Sequence, residues 1–188
     1  MLALKHLLLA AAGVRAQGTL PQSSLSFQLW AYAPGLGGLP LFYADGLAYA
    51  GDPNLSNSTQ AAIVTFTPDN EKIWSGTPNK TGLDSSKSPT WSNATFYIPA
   101  TGASSSRVGF ANSSSGTGIE TSGFMMYGSN AMFISHDGTL ESLWTGLKND
   151  DGVYSLHWND TSQGQVPLAL RKIAPSAPPQ HPGQSEVE

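Results

Sequence analysis

Short apolar or alternating runs recur along this chain, each bounded by clusters of Gly, Pro, Asn, Asp and Ser. The runs are Leu25–Ala33, Leu39–Tyr43, Leu47–Ala50, Ala61–Thr67, Ala94–Ile98, Arg107–Phe110, Phe124–Tyr127, Ala131–Ser135, Thr139–Trp144, Val153–Trp158 and Val166–Ile173. Their lengths are those of strands. No stretch of a dozen residues keeps the i, i+3, i+4 apolar spacing of a helix without a breaker. The chain reads as all-β: a single antiparallel β-sandwich or barrel domain, with a β-trefoil as the alternative. Recurring hairpin-like units such as Leu39–Ala50 and Ala131–Trp144 admit the threefold arrangement.

Alternation assigns faces. Phe27, Leu29, Ala31 and Ala33 share one side of the first run, and Gln28, Trp30 and Tyr32 the other. Ala62, Val64 and Phe66 form a second stripe, as do Tyr154, Leu156 and Trp158, with Ser155 and His157 opposite. Asp45-Gly46, Asp137-Gly138 and Asp151-Gly152 supply residues that tolerate the positive φ of tight hairpin turns.

The ends differ from this pattern. Lys5 and His6 precede the apolar run Leu7–Ala12, and Val14-Arg15-Ala16 has the small residues of a cleavage site. Residues 1–16 thus read as a cleaved secretory signal peptide, with cleavage after Ala16. The run is too short to span a bilayer as a helix, which takes about 20 residues. Residues 174–188 turn Pro-rich and then acidic, the composition of a disordered tail. Between them, residues 17–173 form the single extracellular domain.

Secretion gives the asparagines a meaning. Of nine, six begin Asn-X-Ser/Thr acceptor triplets: Asn54, Asn57, Asn79, Asn93, Asn112 and Asn159. With 38 Ser and Thr in 188 residues, chance would place about two there. Five fall in the loops between runs, where a glycan has room. Asn93 borders a strand, which makes it the expected unused site, and Asn54 and Asn57 are close enough to compete. The chain has no cysteine, so the fold rests on packing alone.

Charge narrows the partners. The full chain carries −4, and losing Lys5 and Arg15 with the leader leaves seven basic residues against 13 acidic, a net −6. This argues against nucleic acid, which requires clustered Lys and Arg. No second apolar segment predicts a membrane anchor, and no cofactor is expected. A cell-wall polysaccharide is the partner that fits a secreted β protein of this kind.

Catalytic patterns are thin. His136 lies between Ser135 and Asp137, but adjacent residues on a strand do not converge as a triad does, and no Gly-X-Ser-X-Gly elbow accompanies them. Glu71, Glu120 and Glu141 lack an evident turn role and are the candidate acids and bases of a polysaccharide hydrolase, which needs two carboxylates facing across a cleft. The run Asn149-Asp150-Asp151-Gly152 reads as a turn rather than a calcium loop. Trp30 and Tyr32, on one strand face, either pack between sheets or stack on sugar rings. The alternative function is accordingly a carbohydrate-binding module or polysaccharide-active hydrolase.

Phe27-Gln28-Leu29-Trp30-Ala31-Tyr32-Ala33, the later Leu39-Pro40-Leu41-Phe42-Tyr43, Ala94-Thr95-Phe96-Tyr97-Ile98 and Asp151-Gly152-Val153-Tyr154-Ser155-Leu156-His157-Trp158 resemble short patches of the small secreted cell-wall proteins of filamentous fungi of the PhiA type. The resemblance implies a non-enzymatic secreted β protein of the wall or extracellular space and carries over no catalytic residue.

Overall fold

The computed structural model describes residues 25–113 and 116–176. The signal-peptide segment with Ala16 and most of the C-terminal tail lie outside them. Among the described residues there are fifteen strands and one 3-10 turn, Pro53–Leu55. The strands are β1 Trp30–Ala33, β2 Leu36–Ala44, β3 Leu47–Ala50, β4 Ala62–Pro68, β5 Trp74–Asn79, β6 Ala94–Pro99, β7 Gly109–Ala111, β8 Ile119–Glu120, β9 Phe124–Tyr127, β10 Asn130–Ile134, β11 Leu140–Glu141, β12 Trp144–Lys148, β13 Tyr154–Trp158, β14 Gln165–Pro167 and β15 Ala169–Arg171. All their pairings are antiparallel, as the sequence pattern predicts.

Six strands close on themselves. Just ahead of β1, Phe27 bridges Phe66 of β4, β4 pairs with β5, and Phe124 N of β9 donates to Lys72 O just before β5. β9 pairs with β10, β10 with β15, and β15 with β1. Three hairpins, β2–β3, β6–β7 and β12–β13, cap one end of this ring. A six-stranded ring capped by three hairpins is the arrangement of a β-trefoil, the alternative that the sequence admitted beside a sandwich or barrel.

The backbone hydrogen bonds repeat with that symmetry. In the barrel, Phe66 N donates to Phe27 O at 2.7 Å, Phe124 N to Lys72 O at 3.0 Å and Lys172 N to Ser129 O at 2.9 Å. In the cap, Phe110 N donates to Gly46 O, Trp158 N donates to Ser106 O, and Ala50 sits opposite Tyr154. Each hairpin thus bonds to the next around the axis. One step along, Ala48 N reaches Val108 O and Val108 N reaches Leu156 O. Positions 49, 109 and 157 correspond by the same symmetry.

One apolar core fills barrel and cap. Leu29, Ala31, Val64, Phe66, Trp74, Phe124, Ala131 and Leu170 come from barrel strands, and Leu41, Phe96, Val108, Trp144 and Leu156 close it from the cap. The indole Nε1 of Trp144 donates to Ala131 O at 3.0 Å, so this buried polar atom is satisfied. Phe42, Ala44, Ala61 and Val153 make a smaller cluster with Tyr49 packed against it. With no disulfide available, this contiguous aromatic packing carries the stability.

Candidate functional site

The cap face holds a polar cluster built from two hairpins. Ser106 leads into β7, while Ser155 and His157 project from β13 and Asp160 follows it. Sequence alternation puts Ser155 and His157 opposite the core stripe, yet both are buried. The cover comes from both other hairpins: Arg107, ahead of β7, bridges to His157, and Tyr49 of β3 lies opposite Ser155.

Hydrogen bonds join these four side chains into one network. Ser106 Oγ donates to Asp160 Oδ2 at 2.6 Å and lies 2.8 Å from His157 Nδ1. A hydroxyl has one proton, so with that proton on Asp160 it is Nδ1–H that donates to Ser106. Nε2 lies 3.0 Å from Ser155 Oγ, whose own proton goes to Leu147 O at 3.1 Å. Asp160 also accepts from Ser162 N at 2.9 Å and Gln165 Nε2 at 3.1 Å. Its bonds from Ser106 and Ser162 hold the carboxyl well below the usual range. Burial, then the nearby Arg107 charge, push His157 below its ordinary value. Asp160, 3.3 Å from Nδ1, pulls the other way, but burial prevails.

This arrangement orders the cap without presenting an activated nucleophile. The more accessible hydroxyl, Ser106, gives its proton to a carboxylate of weak basicity rather than to imidazole, and Ser155 is buried. Its effect on stability has a definite sign. The unfolded chain protonates His157 near pH 6.5, whereas the folded chain resists it, so stability should fall as pH drops through 6.5 and level off once the folded imidazole is protonated. A second loss begins near pH 4, where unfolded Asp160 takes up its proton and the folded carboxyl does not. Denaturant midpoints measured from pH 8 to pH 3 should show both steps, and His157→Gln should remove only the upper one. A midpoint flat between pH 8 and pH 5 would contradict the assignment.

Two cavities flank the loop from Ala100 to Ser106. One, of about 220 Å³, is lined by Pro99, Ala100, Ser105, Ser106, Trp158 and Asn159 among others. The other, about 400 Å³, lies between this loop and Thr117–Ile119, with Leu47, Tyr97 and Arg107 in its wall. No carboxylate lines either.

The residues singled out from sequence lie elsewhere. Glu71 is exposed in the β4–β5 turn, Glu120 is on β8 and Glu141 on β11. Glu120 Oε2 is 3.8 Å from Nε2 of the exposed His136. Ser135 Oγ and Thr139 N both donate to Asp137 Oδ1, making Ser135–Thr139 a self-bonded turn. That pulls the Asp137 carboxyl down to about 2. Asn149 Oδ1 accepts from Val153 N, closing the β12–β13 turn. Trp30 and Tyr32 are half-buried on the outer face of the barrel, neither between sheets nor fully free. Tyr32 Oη donates to Ile173 O, its ring lies close over Gly38, and the Arg171 guanidinium sits 5.5 Å from the ring centre. Trp30 is the better stacking surface of the two.

The acceptor asparagines separate by geometry. Asn57, Asn93, Asn112 and Asn159 are exposed. Asn93 stands in a left-handed turn before β6, at φ 49°, rather than within strand pairing. Asn79 Oδ1 accepts from Thr81 N of its own triplet. Asn54 is pinned: Nδ2 donates to Gly82 O at 3.1 Å and Oδ1 accepts from Asp84 N at 2.9 Å. The side chain in greatest demand for structure is thus Asn54, not Asn93.

Compared with family models, curated proteins and solved structures, the chain matches none.

Proposed function

We propose that this chain is a secreted, N-glycosylated protein of the extracellular space or cell wall, without catalysis of its own, in keeping with its resemblance to wall proteins of the PhiA type. The observation that carries the reading is the density of acceptor triplets combined with four asparagines exposed at loop and turn positions. The leader-like first sixteen residues support the same route. The test is expression in a eukaryotic host with separate assay of medium, wall extract and cytosol. Protein should be found in the first two, with a mass that falls on enzymatic deglycosylation. Unmodified protein confined to the cytosol would overturn the proposal.

Occupancy follows from the hydrogen bonds. Glycopeptide mapping should find Asn57 modified and Asn54 bare, because a glycan on Nδ2 would have to displace the Gly82 contact. Asn54→Gln should cost about 1 kcal/mol, since two solvent-exposed bonds to the Gly82–Asp84 loop are lost, whereas Asn57→Gln should be near neutral. A bare Asn57 with a modified Asn54 would reverse this account.

The polysaccharide-binding reading has its own support in Trp30, half-exposed on the barrel's outer face. Trp30→Ala should weaken retention on cell-wall polysaccharide while leaving the fold intact; unchanged retention would remove Trp30 from consideration.

A further inference from the structure

Among the described residues, Arg107 is a cation without a counter-ion. Neither ion pair among the described residues involves it. Its Nε and Nη2 are both buried and make no hydrogen bond. These two nitrogens form one edge of the guanidinium, the fork that takes a carboxylate through two parallel bonds. The flat face is already used, with Cζ 4.9 Å from the centre of the Tyr49 ring. His157 is the cross-strand neighbour, the nearby Tyr97 phenol is pushed up by burial, hence neutral, and the Asp160 carboxylate beyond His157 is engaged by Ser106, Ser162 and Gln165. A buried guanidinium left in this state is costly unless something pairs with it.

The residue lines the cavity of about 400 Å³ between the Ala100–Ser106 loop and Thr117–Ile119. The rest of the wall is of two kinds. Tyr97, Ser104, Ser105 and Thr117 bring hydroxyl groups, and Leu47, Pro99 and Ile119 bring apolar surface. A pyranose ring presents the same two characters, hydroxyls at its edge and C–H groups on its faces. A hexuronate adds the carboxylate that the fork lacks. The protein as a whole is acidic, with net charge −4, so general attraction would not bring an anion here; only the local fork favours it.

We propose that this cavity binds a uronic acid unit of an acidic polysaccharide, its hydroxyls held by Tyr97, Ser104, Ser105 and Thr117 and its carboxylate held bidentately by Arg107 once a turn of that side chain brings the buried Nε–Nη2 edge to the cavity. The proposal deepens the association with extracellular polysaccharide and rests on that reading for its source of ligand. Tyr49, stacked under the guanidinium, is a positioning residue.

The experiment titrates the full chain, purified from whichever fraction contains it, with sodium glucuronate, with glucose and with sodium sulfate, following amide and Arg Nε–H resonances by NMR. Glucuronate should give a saturable shift at residues 104–107 and 117–119, with glucose and sulfate giving none. Arg107→Gln should weaken glucuronate binding at least about tenfold, and Arg107→Lys should do nearly the same because it keeps the charge but not the fork. If the Arg107 variants fail to fold, Thr117→Trp, an exposed position, fills the cavity from the opposite wall and should abolish the shift. Absence of a saturable shift, equal shifts with glucose, or equal shifts with sulfate (an adventitious ion only) would overturn the proposal. So would glucuronate binding that survives in Arg107→Gln or in Thr117→Trp. Localisation and glycan mass are read independently, so failure of this titration leaves the secretion reading standing.

Discussion

Phe96→Ala is expected to lower the unfolding free energy by about 3–5 kcal/mol, the range for removing a fully buried aromatic ring. Phe96 is wholly inaccessible to solvent. Its ring centre lies 5.1 to 6.3 Å from those of Phe66, Trp74, Phe110, Phe124 and Trp144. Phe66, Trp74 and Phe124 belong to the barrel, Phe110 and Trp144 to the cap, so this side chain joins the two halves of the core. A domain of ordinary stability holds only about 5–15 kcal/mol in total, and no covalent cross-link limits the loss. Guanidinium unfolding followed by tryptophan fluorescence measures it. Trp30→Ala is the comparison, because Trp30 is half-buried on the outer face and should cost about 1 kcal/mol or less. Equal losses for the two variants would mean that the core is not centred on Phe96.

The element that the sequence hid best is β5. Trp74-Ser75-Gly76-Thr77-Pro78-Asn79 has a single large apolar residue and includes both strand breakers, so no periodicity marks it. Gly76 is nonetheless a core position, since a Cβ there would come 2.8 Å from Val64 Cγ1. Its apolar contribution is backbone, invisible to any hydrophobic pattern. The short runs β1, β3, β4, β9, β10 and β13 were legible because one face is buried and their alternation records it. Ser155 and His157 broke that rule: they sit on the polar stripe of β13 yet are buried, because the first two hairpins fold over them, Tyr49 from one and Arg107 from the other. Such burial depends on partners far along the chain, and alternation within one strand carries no information about it. The Ser106–His157–Asp160 cluster and the Arg107 cavity were hidden for the same reason. In the sequence, Arg107 merely opens an apolar run, and only the folded cap shows that its fork faces no acid. The Asp-Gly turns were local and therefore readable. Gly46, Gly138 and Gly152 all take positive φ, from 85° to 86°.

Gly109→Ala should be the second large effect, at about 1–3 kcal/mol or more, although glycine is not required there by backbone conformation. The restriction is space. An added Cβ would lie 2.5 Å from Gly46 O and 2.6 Å from Tyr97 Oη. Tyr97 is the cross-strand partner of Gly109 on β6, and its ring lies over the glycine. At the two corresponding positions the trefoil carries full side chains, Tyr49 and His157, so the missing Cβ is particular to the hairpin that Tyr97 covers. The phenol has room to rotate away, but Gly46 O does not. It accepts from Phe110 N at 2.8 Å in the bond that ties the first hairpin to the second. Tyr97→Ala should therefore relieve only part of the destabilisation in a double variant. The remainder measures how firmly Gly46 is held in the ring of hairpins. Denaturant midpoints of the two single variants and the double give the coupling. Complete rescue by Tyr97→Ala would show that the cap hairpins move apart easily and that the cyclic hydrogen bonds contribute little to holding the trefoil closed.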